Sequence, residues 1–216
     1  MRGWGASWIA VAAGLAILVY ITYNSVTTPG TSSRGLAAGA RMPPFAAPLV
    51  TSDLEGDANV ARQEGQGAAG ARPACEVTDP RALNSCTLTR RGPVVLAFLT
   101  ESADRCVEAL DTLEEVASRH PDVGFAAVAI RGDRGELREL VREHGWELPL
   151  AQDRDGAVAN IYGVAVCPTV VLARRGGVVL RTDIGEQATT PQALERSVRE
   201  LERTPPASAT TSEARP

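Results

Sequence analysis

The chain has 216 residues and a formal net charge of −4. Every position in its Lys+Arg total is arginine, which excludes Schiff-base chemistry on a lysine amine, and no basic cluster stands out, which argues against nucleic acid as a partner. Its 44% hydrophobic and 22% charged content is the balance of a globular protein with a real core, in a length that leaves room for one ordinary domain.

The first element is apolar. Ser7 to Tyr23, "SWIAVAAGLAILVYITY", carries no charge and, with its neighbours, is about long enough to cross a bilayer as a helix. Trp8, Tyr20 and Tyr23 fall near its ends, where aromatic rings favour the membrane interface, and Arg2 on the short side points the amino end to the cytoplasm. No A-x-A site directly follows the apolar run, so residues 1–26 read as an uncleaved anchor; the alternative is a cleaved signal peptide. Either way the rest of the chain is expected outside the cytoplasm, on a single-pass membrane protein or a secreted one. Disulfides are permitted there, and the chain has four cysteines.

Residues 27–41, with Gly, Ser, Thr and Ala prominent, read as a flexible linker. Met42 to Ala61 has short apolar runs broken by Pro and Gly, which predicts a short strand or two with turns. "RQEGQGAAGARPA" then reads as a connector or exposed loop. Cys75 and Cys86 bracket the turn-rich "EVTDPRALNS", and a local structural disulfide is the simplest reading. The alternative is a loop that shuttles electrons, and four cysteines allow three pairings.

From Pro93 to Leu99, "PVVLAFL" is a continuous apolar run, as expected of a strand buried on both faces. Cys106, Leu110, Leu113 and Ala117 then repeat at helical spacing. Val123 to Ile130 is a second buried strand. Asp133 precedes Glu136 by three, a capping-box spacing ahead of a second helix. A short helix is expected around Ala157 to Tyr162. Thr169–Ala173 and Val178–Thr182 form a hairpin around "RRGG", and Thr190 caps a last helix with Pro191 at its first position. This order predicts an α/β architecture, a mixed sheet with helices on both faces. Residues 204–216 lack apolar periodicity and read as a disordered tail.

Two features carry chemistry. Cys106 lies near a helix start that follows a strand and a short loop, "TESAD", where the helix dipole and free backbone N–H groups stabilise a thiolate. In "VAVCPTVVL" a proline stands just before a buried strand, a good candidate for a cis peptide bond. His120 and His144 lie near helix C-termini and show no metal-ligand spacing, so neither a metal nor a cofactor is expected. Trp146 reads as a packing residue. The tripeptide Arg131-Gly132-Asp133 is short enough to recur by chance, and Asp133 already has a capping role.

The stretches "PVVLAFLTESADRC", "PLAQDRDGAVANIYGV" and "YGVAVCPT" give the region from Met42 to about Leu201 a resemblance to the thioredoxin-like redoxins, especially the membrane-anchored TlpA-type proteins and the related AhpC/TSA group. The resemblance implies a thioredoxin-like fold over residues 42–203, preceded by one transmembrane helix. Counting from Phe98, the family's C-x-x-C falls on Ala103 and Cys106, so the attacking cysteine is replaced by alanine. Pro168 falls on the family's cis-proline. The residue before that proline faces the active site in the family, and here it is Cys167. The resemblance therefore implies that Cys106 and Cys167 can bridge across the site as nucleophile and resolving thiol, with Thr100, Glu101 and Arg105 around them.

The implied function is a membrane-anchored, extracytoplasmic thiol–disulfide oxidoreductase acting on protein thiols or disulfides. One alternative is a non-catalytic binding or scaffold module, in which a Cys106–Cys167 bond only staples a loop of about sixty residues, worth about 4 kcal/mol. Another is a peroxiredoxin-like thiol peroxidase with Cys106 as the peroxidatic residue. That reading is weakened by Ala103, which stands where those enzymes carry threonine.

Overall fold

The structure, a computed structural model, describes residues 13–20, 35–100 and 104–205. Backbone contacts divide the chain into two units, Met1–Ser32 and Ser33–Pro216. In the first unit, residues 13–20 are helical and exposed. The rest of the expected anchor lies outside the described residues, as does nearly all of the expected tail. Among the described residues no helix is long and apolar enough to cross a membrane.

The second unit is built on a five-stranded sheet. A small antiparallel ribbon comes first, β1 (Ala46–Pro48) with β2 (Ala82–Asn84), and leads into helix α1 (Ser85–Arg91). The main elements follow: β3 (Val94–Thr100), α2 (Asp104–Ala117), β4 (Gly124–Ile130), α3 (Arg134–His144), β5 (Leu150–Asp153), α4 (Ala157–Tyr162), β6 (Thr169–Arg174), β7 (Val178–Ile184) and α5 (Pro191–Arg203). The strand order is β5-β4-β3-β6-β7. Strands β3, β4 and β5 run parallel, while β6 is antiparallel to both β3 and β7. This is the mixed α/β sheet that the order of elements predicts.

Alternation along β3 divides the core. Val95, Ala97 and Leu99 face α2 and α5, whose Leu110, Leu113, Leu194 and Val198 are buried against them. Val94, Leu96 and Phe98 face the opposite layer, built from α4 and the residues around β1. Both faces of the central strand are covered, which is why its sequence is continuously apolar.

The helix starts follow local chemistry. Asp133 accepts hydrogen bonds from the N–H groups of Gly135 and Glu136, and Thr190 accepts from Ala193 ahead of Pro191. The Arg131-Gly132-Asp133 tripeptide is thus the turn that enters α3. The hairpin turn uses Gly176 and Gly177 at φ 88° and 77°, where a side chain would be strained.

Three elements are absent from the sequence-based expectation. Helix α1 is too short for periodicity and is capped by Asn84, whose side chain accepts from Cys86 and Thr87. Strand β2 is only three residues long. Strand β5 ends in the polar pair Gln152 and Asp153, yet both are buried. Gln152 donates to the Gly132 carbonyl at 2.9 Å, and Asp153 accepts from Val158 and Ala159 at the start of α4. Burial pushes the Asp153 carboxyl above its ordinary range, and these N–H groups oppose that shift. Residues 35–41, expected within the linker, run along edge strand β7: Gly39 donates to Val179, and Val179 donates back to Ala40, both at 2.8 Å. They cover an edge that would otherwise be open.

Candidate active site

Cys106 lies in the first turn of α2, immediately beyond the C-terminal end of β3, and is only 1% exposed. It is buried because the helical repeat that carries Leu110 and Leu113 onto the sheet also carries residue 106.

Cys167 arrives from the other side. Helix α4 ends at Gly163, whose φ of 65° suits a left-handed cap, and the N–H of Val164 returns to the Ala159 carbonyl. Residues 164–168 then climb back to the top of the sheet. The Thr169 hydroxyl donates to the Val166 carbonyl at 2.6 Å, and Gly185 donates to the Pro168 carbonyl at 2.8 Å. The Cys167–Pro168 peptide bond is cis. These contacts hold Cys167 opposite the start of α2. Its Cα is 5.9 Å from that of Cys106, and the two sulfurs are bonded.

The two sulfurs differ in environment. Cys106 belongs to the core, whereas Cys167 is half-buried and lines a cavity of about 390 Å³. Ile130, Arg131, Gly156, Asn160 and Val166 are among the residues that line it with Cys167. Val166 is 49% exposed, unusual for an apolar side chain in this domain.

The remaining candidate residues are placed as follows. Pro168 is buried behind Cys167. Arg105 is exposed and pairs with Glu186 at 3.2 Å, on the turn that follows β7. Thr100 is the last residue of β3, in register with Ile130 of β4. Glu101 and Ala103 lie outside the described residues. Arg131, Asn160 and Val166 were not singled out by sequence reasoning as site residues. Val166 directly precedes Cys167 in the "VAVCPTVVL" motif and could have been found there, whereas Arg131 and Asn160 come from other elements and no spacing links them to Cys167.

The second disulfide is remote in the chain. Cys75 and Cys86 are bonded, with Cα atoms 5.4 Å apart and 11 residues of separation. Asn84 reinforces the same loop by donating to the Ala74 and Val77 carbonyls, each at 2.8 Å. Replacing both cysteines with serine is expected to cost about 3 kcal/mol in a urea titration, from the entropy of so short a loop. Exchange at Cys106–Cys167 should be unchanged by that replacement.

His120 and His144 serve packing. His120 sits between Glu195 and Glu202 and ties the end of α2 to α5. His144 stacks on Trp146, and both bond to Asp111. Among the described residues no cluster of His, Cys, Asp or Glu is arranged to hold a metal ion.

No family model matches the chain. Over 110 residues, half of this chain, it is 26% identical to the thiol–disulfide oxidoreductase ResA of Bacillus thuringiensis (strain Al Hakam), and the match spans 62% of that protein's length. Among solved structures, a secreted Mycobacterium tuberculosis disulfide oxidoreductase homologous to E. coli DsbE is 26% identical. It superposes with a TM-score of 0.51, covering 56% of this chain and 89% of that one. A thiol:disulfide interchange protein of the thioredoxin family from Chlorobium tepidum TLS reaches a TM-score of 0.56 at 12% identity, over 77% of this chain and 98% of its own. Sheet order, the cis-proline loop and these likenesses agree: the chain has a thioredoxin-like fold, and half of it is similar in sequence to thiol–disulfide oxidoreductases.

Proposed function

We propose that this chain is a thiol–disulfide oxidoreductase whose redox pair is Cys106 and Cys167, tethered to a membrane through its amino-terminal apolar segment with the domain on the extracytoplasmic side. The observation that carries the reading is the bond between these two cysteines, one buried at a helix start and the other at the wall of a cavity. A chain with alanine at the family's first cysteine keeps a dithiol by drawing the second sulfur from the cis-proline loop.

The exchange step follows from accessibility. A substrate thiolate attacks Cys167 Sγ, the Cys106–Cys167 bond breaks, and Cys106 leaves as a thiolate that takes up a proton. A second substrate thiolate attacks the substrate sulfur of the mixed disulfide and releases Cys167. Two substrate thiols are thereby oxidised to a disulfide, and the protein disulfide is reduced to a dithiol. The reverse sequence reduces a substrate disulfide, and the potential of the pair decides the direction. Protein thiols or disulfides are the substrates this chemistry fits.

The compartment is supported by the cysteines, all four of which are in disulfides. The anchor is supported by the uncharged run from Ser7 to Tyr23.

A redox titration of the full chain in detergent, with alkylation and peptide mapping at each poise, tests the reading. A Cys106–Cys167 midpoint between about −120 and −270 mV is expected of a working dithiol. A midpoint below about −300 mV would make the bond a staple and the domain a binding module instead.

A further inference from the structure

The cavity beside Cys167 has a charge character that the exchange reaction does not require. Its walls are mostly apolar or small, from Ile130, Gly156, Ala159, Val164 and Val166. Arg131 is the charged side chain among its lining residues. It is exposed at the C-terminal end of β4, and its own N–H is anchored to the Asp153 carbonyl at 2.9 Å. Among the described residues no carboxylate forms an ion pair with its guanidinium. The nearby acids are turned elsewhere. Asp153 accepts from Val158 and Ala159, Asp155 from Ala157, and Asp133 from Gly135 and Glu136. An arginine fork with no ion-paired carboxylate among the described residues, on the same cavity wall as a half-buried disulfide cysteine, is a receptor for an anion carried next to a thiol.

We infer that this cavity selects the substrate: it takes a thiol or disulfide with a carboxylate close to its sulfur, Arg131 pairing with the carboxylate while Cys167 exchanges with the sulfur. The inference rests on exchange at Cys106–Cys167. A volume of about 390 Å³ holds more than one side chain, so the favoured source is a cysteine in a peptide segment with acidic neighbours. A small acidic thiol shares the chemistry. Arg131 is a specificity residue here, and the bonds that break and form are those of the exchange step above.

The test measures how fast thiols reduce the oxidised full-length protein in detergent, with rates normalised to thiolate concentration. One pair of probes is the blocked tripeptides Glu-Cys-Glu and Lys-Cys-Lys; the other is 3-mercaptopropionate and cysteamine. Each is run on the parent, Arg131→Gln, Arg131→Glu and Arg131→Lys, and the acidic-to-basic rate ratio is compared between proteins. This comparison cancels the intrinsic reactivity of each thiol. The parent ratio should exceed that of Arg131→Gln by roughly twofold to fivefold, the range of a partly exposed ion pair. Arg131→Glu should lower the ratio further, Arg131→Lys should largely restore it, and added salt should erode it.

Discrimination in the tripeptides alone assigns a peptide source, and discrimination in the small thiols alone assigns a small acidic thiol; both agree with the inference. A ratio that is the same in all four proteins for both pairs overturns it. If no probe reduces the parent's Cys106–Cys167 bond, the exchange reading itself has failed, which is a separate result.

Discussion

Cys167→Ser is expected to abolish disulfide exchange, while Cys106→Ser is expected to stop turnover after one step. The asymmetry comes from burial. Cys106 is sealed within the core beside Leu110, so a substrate sulfur cannot reach it in line. Cys167 opens onto the cavity, and attack there expels Cys106 as the leaving group. Without Cys167 the remaining thiol has no access, and insulin reduction should fall to the buffer rate. Without Cys106 the remaining thiol still attacks, but the internal thiol that resolves the mixed disulfide is missing, so covalent adducts should accumulate on non-reducing gels. Both variants lose a bond that closes 61 residues, about 4 kcal/mol by chain entropy, so circular dichroism should accompany the assay. Adducts on Cys106 in the Cys167→Ser protein, with none in the reverse variant, would exchange the two roles.

Tyr162→Ala is expected to be the most destabilising single change outside the disulfides, at about 3–5 kcal/mol, the usual cost of removing a buried large aromatic. Tyr162 is fully buried. Its ring meets Phe45 edge-on at 5.8 Å and Phe98 of β3 at 5.1 Å. Its hydroxyl donates to the Pro43 carbonyl at 2.8 Å, and burial holds the phenol well above its ordinary pKa. One side chain therefore fastens the segment around β1, the central strand and α4 together. Tyr162→Phe keeps the packing and leaves the Pro43 carbonyl unpaired, so it should cost about 1–3 kcal/mol. Urea titration of the oxidised protein separates the two. Because Tyr162 ends α4 directly before the loop that carries Cys167, the alanine variant should also expose residues 163–168 to faster hydrogen exchange. Equal losses in the two variants would show that the hydroxyl matters more than the ring.

Legibility in the sequence followed the scale of the signal. Strands β3 and β4 were readable because residues buried on both faces leave unbroken apolar runs, as at Val94 to Leu99. Helices α3 and α5 were readable because Asp133 and Thr190 cap them locally. Strand β5 was not, because Gln152 and Asp153 look like surface residues until Gly132 and the start of α4 supply their hydrogen bonds. Helix α1 was too short to show a period and rests on the Asn84 cap and the Cys75–Cys86 bond.

The sequence by itself determined the order of the main strands and helices apart from β5, the alanine at position 103, and the cysteine directly before Pro168. Each is a property of neighbouring residues, carried by periodicity, caps and spacing. Only the tertiary structure decided that Cys106 is bonded to Cys167, that Cys167 opens onto a cavity, and that Arg131 shares that cavity. Those facts depend on how α2, the end of β4 and the cis-proline loop converge at one end of the sheet. Residues 106, 131 and 167 are too far apart in the chain for any local pattern to record where their side chains meet.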